Sequence, residues 1–233
     1  MNRAERRRQE KLQKSVGKQS SSAVTQAIEA MIQPIVILLN AHQFDKAEAA
    51  LSELLAVDPN HAEGLHLLGL LLCQTGRETE GIAALSRATV LKPKESLYWN
   101  NLAAAYSRGQ QLELSIEAAR KAIDLDQHYA DPQNILVNAL LAQGKLAEGT
   151  DELAKLVKMR PTDAKLWHHL GFNRAEQNRL EDAEEAYKKC LCLAPENVAV
   201  MRELAAIYMN TWQYDAAQRL RRQADQIEAT NRA

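Results

Sequence analysis

Two adjacent histidines and a Cys-x-Cys pair are the residues of this sequence with the types and spacing to do chemistry. His168 and His169 could bind a metal ion, but neighbouring residues of a helix point about 100° apart, so the two rings cannot share one ion unaided. Cys190 and Cys192 could bind a metal or form a redox pair, yet they too fall on different faces of a helix. With Cys73 they make three cysteines, too few for a disulfide framework, which is typical of a reducing compartment.

Neighbouring carboxylates are the remaining source of chemistry. Glu184 and Glu185 could serve as an acid and a base, but their setting is that of charged residues on a helix surface. The sequence contains no HExxH, CxxC or GxSxG motif and no phosphate loop ending in Gly-Lys-Ser/Thr. We therefore predict that the chain is not an enzyme, with no catalytic residue, no metal site, no cofactor and no small-molecule substrate.

Charge is distributed unevenly along the chain. Residues 1–27 carry seven basic and two acidic side chains, whereas the formal net charge of all 233 residues is −1. An acidic body argues against a nucleic-acid-binding surface there, and residues 1–22 are too polar to bury a core, so we predict a basic, disordered tail. The longest run of large apolar residues, 35–39, is far shorter than the ~20 residues of a membrane span. We expect a cytoplasmic protein without a membrane span.

The remaining chain has the pattern of helices. From about Ala23 onward, apolar residues recur every three or four positions in blocks separated by turn residues, which predicts an all-α fold. Sliding the sequence by 34 residues aligns one column of leucines: Leu68, Leu102, Leu136, Leu170 and Leu204. It also aligns a column of small residues: Ala47, Gly81, Ser115, Gly149, Ala183 and Ala217. Small side chains there predict a close approach of two helices within each repeat.

These motifs resemble the tetratricopeptide repeat. The resemblance rests on Trp167-x-x-Leu170-Gly171, then Ala183 with Tyr187 four residues on, and then Pro195. It implies a right-handed solenoid of about six helix–turn–helix units over residues 23–233. The predicted units are about 28–61, 62–95, 96–129, 130–163, 164–197 and 198–228, followed by a polar capping end.

Three features of the repeats predict local structure. Gly81 and Gly149 should lie against the first helix of their own units, because a larger side chain would not fit there. Pro34 occupies the leucine column of the first unit, which predicts a kinked or late-starting helix. Arg221 and Asp225 replace apolar residues at the end of the array, so we expect both to be exposed as a cap.

A column of polar residues in the first helix of each unit is the candidate binding site. We call it the polar column: His66, Asn100, Asn134, His168 and Arg202. One helical turn further on, Asn138 and Phe172 extend the same stripe. The family resemblance implies that this face lines a concave groove, where amides and imidazoles can donate hydrogen bonds to an extended peptide and accept them from it. The alternative is that these residues only solvate an exposed face.

The predicted function is that of a non-catalytic protein–protein interaction scaffold or adaptor, which binds a peptide or a partner protein in the groove. One alternative is an accessory or truncated relative of enzymes that join such arrays to a glycosyl- or sulfotransferase domain. Another is a nucleic-acid or membrane tether acting through Arg6, Arg7 and Arg8 of the basic tail, the only segment predicted to contact nucleic acid.

Overall fold

The computed structural model describes residue 26 and residues 28–232, and the predicted tail, residues 1–22, lies outside the described residues. Within the described part the regular secondary structure is helical and contains no strand, which confirms the all-α prediction. The chain divides into two compact units, one ending at Ala105 and the other beginning at Tyr106.

Twelve helices, α1 to α12, follow one another in the described residues, and a short turn joins the two helices of each pair. The first unit contains α1 (28–40), α2 (Phe44–Val57), α3 (Ala62–Gln74), α4 (Glu78–Leu91) and α5 (Ser96–Arg108), whose last residues pass the boundary. The second contains α6 (Leu112–Leu125), α7 (Ala130–Ala142), α8 (Leu146–Met159), α9 (Ala164–Glu176), α10 (Leu180–Leu193), α11 (Val198–Asn210) and α12 (Tyr214–Arg232).

Each unit has its own apolar core. In the first unit, Ile35 of α1 packs in one cluster with Leu51 and Leu54 of α2 and Leu71 of α3. In the second unit, a cluster of α10, α11 and α12 residues is centred on Tyr187, with Leu204 and Ala217 beside it. Burying a side chain of this size contributes about 1.5–3 kcal/mol, so the apolar face of each helix drives its packing.

The turn inside every helix pair has one backbone conformation. The second residue after the first helix has a positive φ in six turns 34 residues apart: His42, Gly76, Gln110, Gly144, Asn178 and Trp212. The next residue donates its backbone N–H to the carbonyl five positions before it, as Arg77 does to Leu72 at 2.8 Å. This is the hydrogen bond of a Schellman motif, in which glycine or asparagine is usual. Trp212 is unfavourable there, because a side chain in the left-handed region costs roughly 1–2 kcal/mol.

A tryptophan fastens two of the turns between pairs. The indole Nε1–H of Trp99 donates to the carbonyl of Pro93 at 2.9 Å, and that of Trp167 donates to the carbonyl of Pro161 at 2.8 Å. In both cases the proline lies six residues before the tryptophan. This bond explains why a proline followed by an aromatic residue recurs in the sequence.

Glycines allow close packing within two helix pairs. A Cβ atom on Gly81 of α4 would clash with Cys73 Sγ and lie 2.8 Å from the carbonyl oxygen of Gly69 in α3. A Cβ atom on Gly149 of α8 would lie 2.7 Å from Cδ2 of Leu141 in α7. Both glycines therefore lie against the first helix of their own pair, as the small-residue column predicted.

The first and last helices bear on the two expectations for the ends of the repeated region. The expected late start of the first helix is wrong, because residues 28–40 are helical through Pro34. Pro34 and Ala30, whose carbonyl loses its usual N–H partner, are both exposed, so water can replace the missing hydrogen bond. At the other end, Arg221 and Asp225 are exposed on α12, as expected for a cap.

Candidate functional site

In the first unit, His66 of the polar column is part of the packed interior. Its ring is only 5% exposed and stacks on Tyr98 of α5, with 4.3 Å between ring centroids and 19° between the ring planes. Its Nε2 lies 2.7 Å from the side-chain nitrogen of Asn101. An amide nitrogen can only donate, so Nε2 accepts and the ring proton is on Nδ1. Burial lowers the pKa of His66 to about 4, and the ring is neutral at neutral pH.

Asn100, the next member of the polar column, is also buried, at 7% exposure. Its side-chain N–H donates to Oδ1 of Asn101 at 3.3 Å, whereas its own Oδ1 accepts no hydrogen bond from any described residue. His66 and Asn100 were expected at the surface, and this expectation is wrong for both. Tyr98 and Asn101 lie on α5, the first helix of the following pair, and contact the ring of His66, which the column alone does not reveal.

In the second unit, His168 of α9 makes the equivalent contact with a charged partner. Its Nε2 lies 2.9 Å from Oε2 of Glu203 in α11, and both side chains are about one-third exposed. The offset from His168 to Glu203 is 35 residues, the same as from His66 to Asn101. The sequence carried no clear signal for this contact, because the residues that follow the polar column share no chemical type: Leu67, Asn101, Ile135, His169 and Glu203.

The exposed part of the candidate site lies on α7 and α9. Asn134 and Asn138 are both exposed and one helical turn apart on α7, and within the described residues their side chains make no hydrogen bond. Phe172 of α9 is 46% exposed, an unusual setting for a large aromatic side chain. These three residues are therefore available for contact with another molecule.

Arg202 of α11 is exposed but already paired. Its Nη2 lies 3.0 Å from Oε2 of Glu228 and 3.5 Å from Oδ1 of Asp225, both on α12. The sequence did not indicate the pairing with Glu228, since Glu228 lies on the part of α12 that extends beyond the length of the other second helices. The two carboxylates orient the guanidinium group and partly neutralise its charge.

The residues first considered for metal or redox chemistry do not form such a site. Cys190 is buried and burial raises the pKa of its thiol, whereas Cys192 is exposed. Burial, and then the charge of His168, lower the pKa of His169. Among the residues that the structure describes, no three His, Cys, Asp or Glu side chains are grouped so that they could hold a metal ion.

Among residue 26 and residues 28–232, no helix combines the length and the apolar character that crossing a bilayer requires.

Comparison with known families identifies the repeat. A tetratricopeptide repeat model matches residues 36–96 and 136–198, and two other models of this repeat match 97–129 and 174–233. The chain belongs to the tetratricopeptide repeat family. Its helix pairs, its 34-residue period and its small-residue column are those of tetratricopeptide repeats, which confirms the resemblance seen in the sequence.

Individual relatives of this tetratricopeptide repeat chain are distant. The peroxisomal targeting signal receptor of Kluyveromyces lactis is 26% identical over 218 residues, which cover 78% of this chain and 38% of the receptor. The chain thus spans less than half the length of that curated relative.

Solved structures give the same fold. The crystal structure of MamA superposes with a TM-score of 0.65 at 19% identity, covering 72% of this chain and 92% of MamA. The crystal structure of YrrB, described as a TPR protein with an unusual peptide-binding site, has a TM-score of 0.65 at 18% identity, covering 77% of this chain and 96% of YrrB.

Proposed function

We propose that this chain is a non-catalytic interaction module, a scaffold or adaptor that binds an extended segment of a partner protein along the first helices of its pairs. Membership of the tetratricopeptide repeat family supports this proposal. Further support comes from the names of two relatives, since the K. lactis protein is a targeting signal receptor and YrrB has a peptide-binding site.

The observation that carries the proposal is the pair of exposed, unbonded amides on α7. Asn134 and Asn138 are four residues apart, which places them about 6 Å apart along the helix axis. In an extended peptide, groups that point the same way recur about every 6.6–6.8 Å. Each amide can donate one hydrogen bond and accept another, so the two together match successive peptide groups of an extended backbone.

The neighbouring first helices add side-chain recognition to this backbone contact. Phe172 offers an apolar contact, and His168, held by Glu203, offers a polar rim. Arg202 can meet an acidic group of the partner, which must then compete with Glu228 and Asp225. This competition favours a partner whose acidic group is held in place by the other contacts.

In the first unit, His66 and Asn100 have a different role from the exposed residues of α7 and α9. Both are buried, so they shape the binding face rather than project from it. The neutral ring of His66 fixes the amide of Asn101, and Asn101 in turn holds Asn100. The Oδ1 of Asn100 accepts no hydrogen bond from a described residue, so a partner N–H that reached it would satisfy a buried acceptor.

We infer that the module acts in the cytoplasm and without catalysis. The support for the compartment is chemical, since the three cysteines are all free and two of them are buried. The support for a binding role is the exposure of the two unbonded amides on α7 and of Phe172 on α9.

Peptide selection on the full chain tests the proposal. A random peptide phage library panned on the immobilised protein should yield binders whose affinity is then measured by calorimetry. Replacing both amides, Asn134→Ala with Asn138→Ala, should weaken binding at least several-fold, because each lost hydrogen bond costs about 0.5–1.5 kcal/mol. The melting temperature should remain unchanged, since both side chains are exposed.

Gln218→Ala is the matched control, because it removes an exposed amide from α12, away from the first helices. This variant should bind like the wild type. The proposal fails if no selected peptide binds the wild type saturably, or if the double variant binds every selected peptide with unchanged affinity.

A further inference from the structure

A cavity of about 330 Å³ opens on α6, α7 and α8 of the second unit. Its buried base is formed by Gln133 and Leu136 of α7, with Ile123 of α6 half-buried beside them. Charged side chains surround this base: Arg120, Asp124, Glu152 and Lys155. The volume falls within the range of about 300–1,000 Å³ that is typical of ligand pockets.

The next repeat shows what fills the equivalent place. Thirty-four residues after Gln133 stands Trp167, and its indole packs against a cluster that contains Val157 and Leu170. These two residues are the repeat equivalents of Ile123 and Leu136. The cavity therefore exists because glutamine replaces tryptophan at position 133, while the apolar surface that receives the tryptophan is retained.

The walls of the cavity also differ from the surroundings of Trp167 in the next repeat. Ala154 and Ala186 accompany Trp167 in its cluster, and their equivalents 34 residues earlier are Arg120 and Glu152. Charged side chains thus line the cavity where the next repeat has small apolar ones. A cavity with an apolar base and a charged edge is suited to a ligand that enters from the surface.

Hydrogen bonds hold the charged walls in place. Gln133, only 4% exposed, donates its side-chain N–H to Oε2 of Glu152 at 2.6 Å and to the Glu152 carbonyl at 3.2 Å. Lys155 pairs with Glu152 at 2.9 Å, and Arg120 pairs with Glu148. These contacts keep the charged side chains at the edge of the cavity.

We propose that this cavity binds an aromatic side chain of a partner protein, an indole in particular, in the place where the next repeat holds its own tryptophan. The ring would lie on Ile123 and Leu136, and its outer face would be open to cation–π contact with Arg120 and Lys155. The carbonyl of Gln127 is the equivalent of the Pro93 and Pro161 carbonyls, each of which accepts an indole N–H. Because residue 133 is not tryptophan, the Gln127 carbonyl can accept that bond from a partner.

The cavity is separate from the proposed peptide face. Asn134 and Asn138 lie about 100–140° around α7 from Gln133. A partner segment bound at the two asparagines does not enter the cavity, and loss of one site leaves the other intact. This inference therefore does not rest on the proposed function.

Titration of the full chain with N-acetyltryptophanamide, followed by amide NMR shifts, tests the inference. We expect saturable shifts confined to α6, α7 and α8. Gln133→Trp with Glu152→Ala rebuilds the Trp167 and Ala186 arrangement within the chain itself, so the internal indole should weaken binding of the probe at least tenfold. Gln133→Phe places a smaller ring at the same position, occupies part of the cavity and should weaken binding even if the double variant folds poorly.

Two controls make the result specific. Asn134→Ala changes the neighbouring residue on α7 and should leave probe binding unchanged. N-acetylleucinamide, which has no aromatic ring, should bind at least several-fold more weakly than the indole probe. The inference is overturned if the wild type shows no saturable shifts, if the shifts lie outside α6–α8, or if a folded cavity-filling variant binds the indole probe as well as the wild type.

Discussion

His66 and His168 occupy the same position in two repeats, one in each compact unit, and they have different structural roles. Each contacts the residue 35 positions downstream, Asn101 for His66 and Glu203 for His168. His66 is buried and stacked on Tyr98, whereas His168 is about one-third exposed and faces a carboxylate. Repeat geometry thus decides which residue a histidine meets, and the chemistry of that residue decides whether the histidine belongs to the interior or to the surface.

The largest expected effect is on stability. His66→Ala should lower the free energy of unfolding by about 3–4 kcal/mol, because it removes a buried ring from its stack and leaves the amide of Asn101 without its acceptor. His168→Ala should cost no more than about 1 kcal/mol, the usual value of a partly exposed ion pair. Urea unfolding followed by circular dichroism measures both. Equal losses in the two variants would show that the histidines are not structurally distinct.

The pH dependence of stability is the second way to separate the two histidines. The pKa of His66 is about 4 in the folded chain, against an ordinary value of 6.5. The unfolded chain therefore binds a proton first, and the stability present above pH 6.5 is lost as the pH falls towards 4. The loss approaches about 3 kcal/mol at pH 4.

His66→Phe is the reference for that measurement, because it keeps an aromatic ring against Tyr98 but cannot be protonated. The difference between wild type and His66→Phe in free energy of unfolding should shift by about 3 kcal/mol between pH 7.5 and pH 4. A difference that stays constant over this range would mean that His66 titrates alike in both states.

Replacing the residue that contacts His66 by a carboxylate should make His66 behave more like His168. Asn101→Asp places a carboxylate beside His66, as Glu203 lies beside His168. A nearby negative charge favours the protonated ring and should raise the pKa of His66, by about 1 unit or more. An NMR titration of the imidazole Cε1–H signal follows this change directly, and a pKa that does not rise would show that burial alone sets it.

The smallest effect is expected from the surface pair itself. Glu203→Gln keeps a hydrogen-bond acceptor for His168 but removes the charge, which should cost less than about 1 kcal/mol. Urea unfolding measures this loss, and a larger cost would place His168 among the buried contacts with His66.

The sequence predicted most of the fold because the repeat is periodic. The period aligned Gly81 and Gly149 with their close helix contacts, and these follow from side-chain size alone. The left-handed backbone conformation of Trp212 could not be predicted from side-chain size, because the Schellman turn imposes it against the preference of the residue. Tertiary geometry overrides local preference at that position.

The candidate site was predictable only in part. The exposure of Asn134, Asn138 and Phe172 follows from their place opposite the leucine column. The burial of His66 does not, because it depends on a residue from the following repeat. The peptide-binding role of these residues remains a prediction that the peptide experiment addresses.

The tryptophans that fasten the turns also give each compact unit a fluorescent reporter. Trp99 belongs to the first unit and Trp167 to the second, and each indole is tied to a proline carbonyl that it loses when its turn opens. Trp212, 79% exposed, already emits from water in the folded chain and changes little on unfolding. Chains that retain only Trp99 or only Trp167 should therefore show, from emission alone, whether the two units melt together or one after the other.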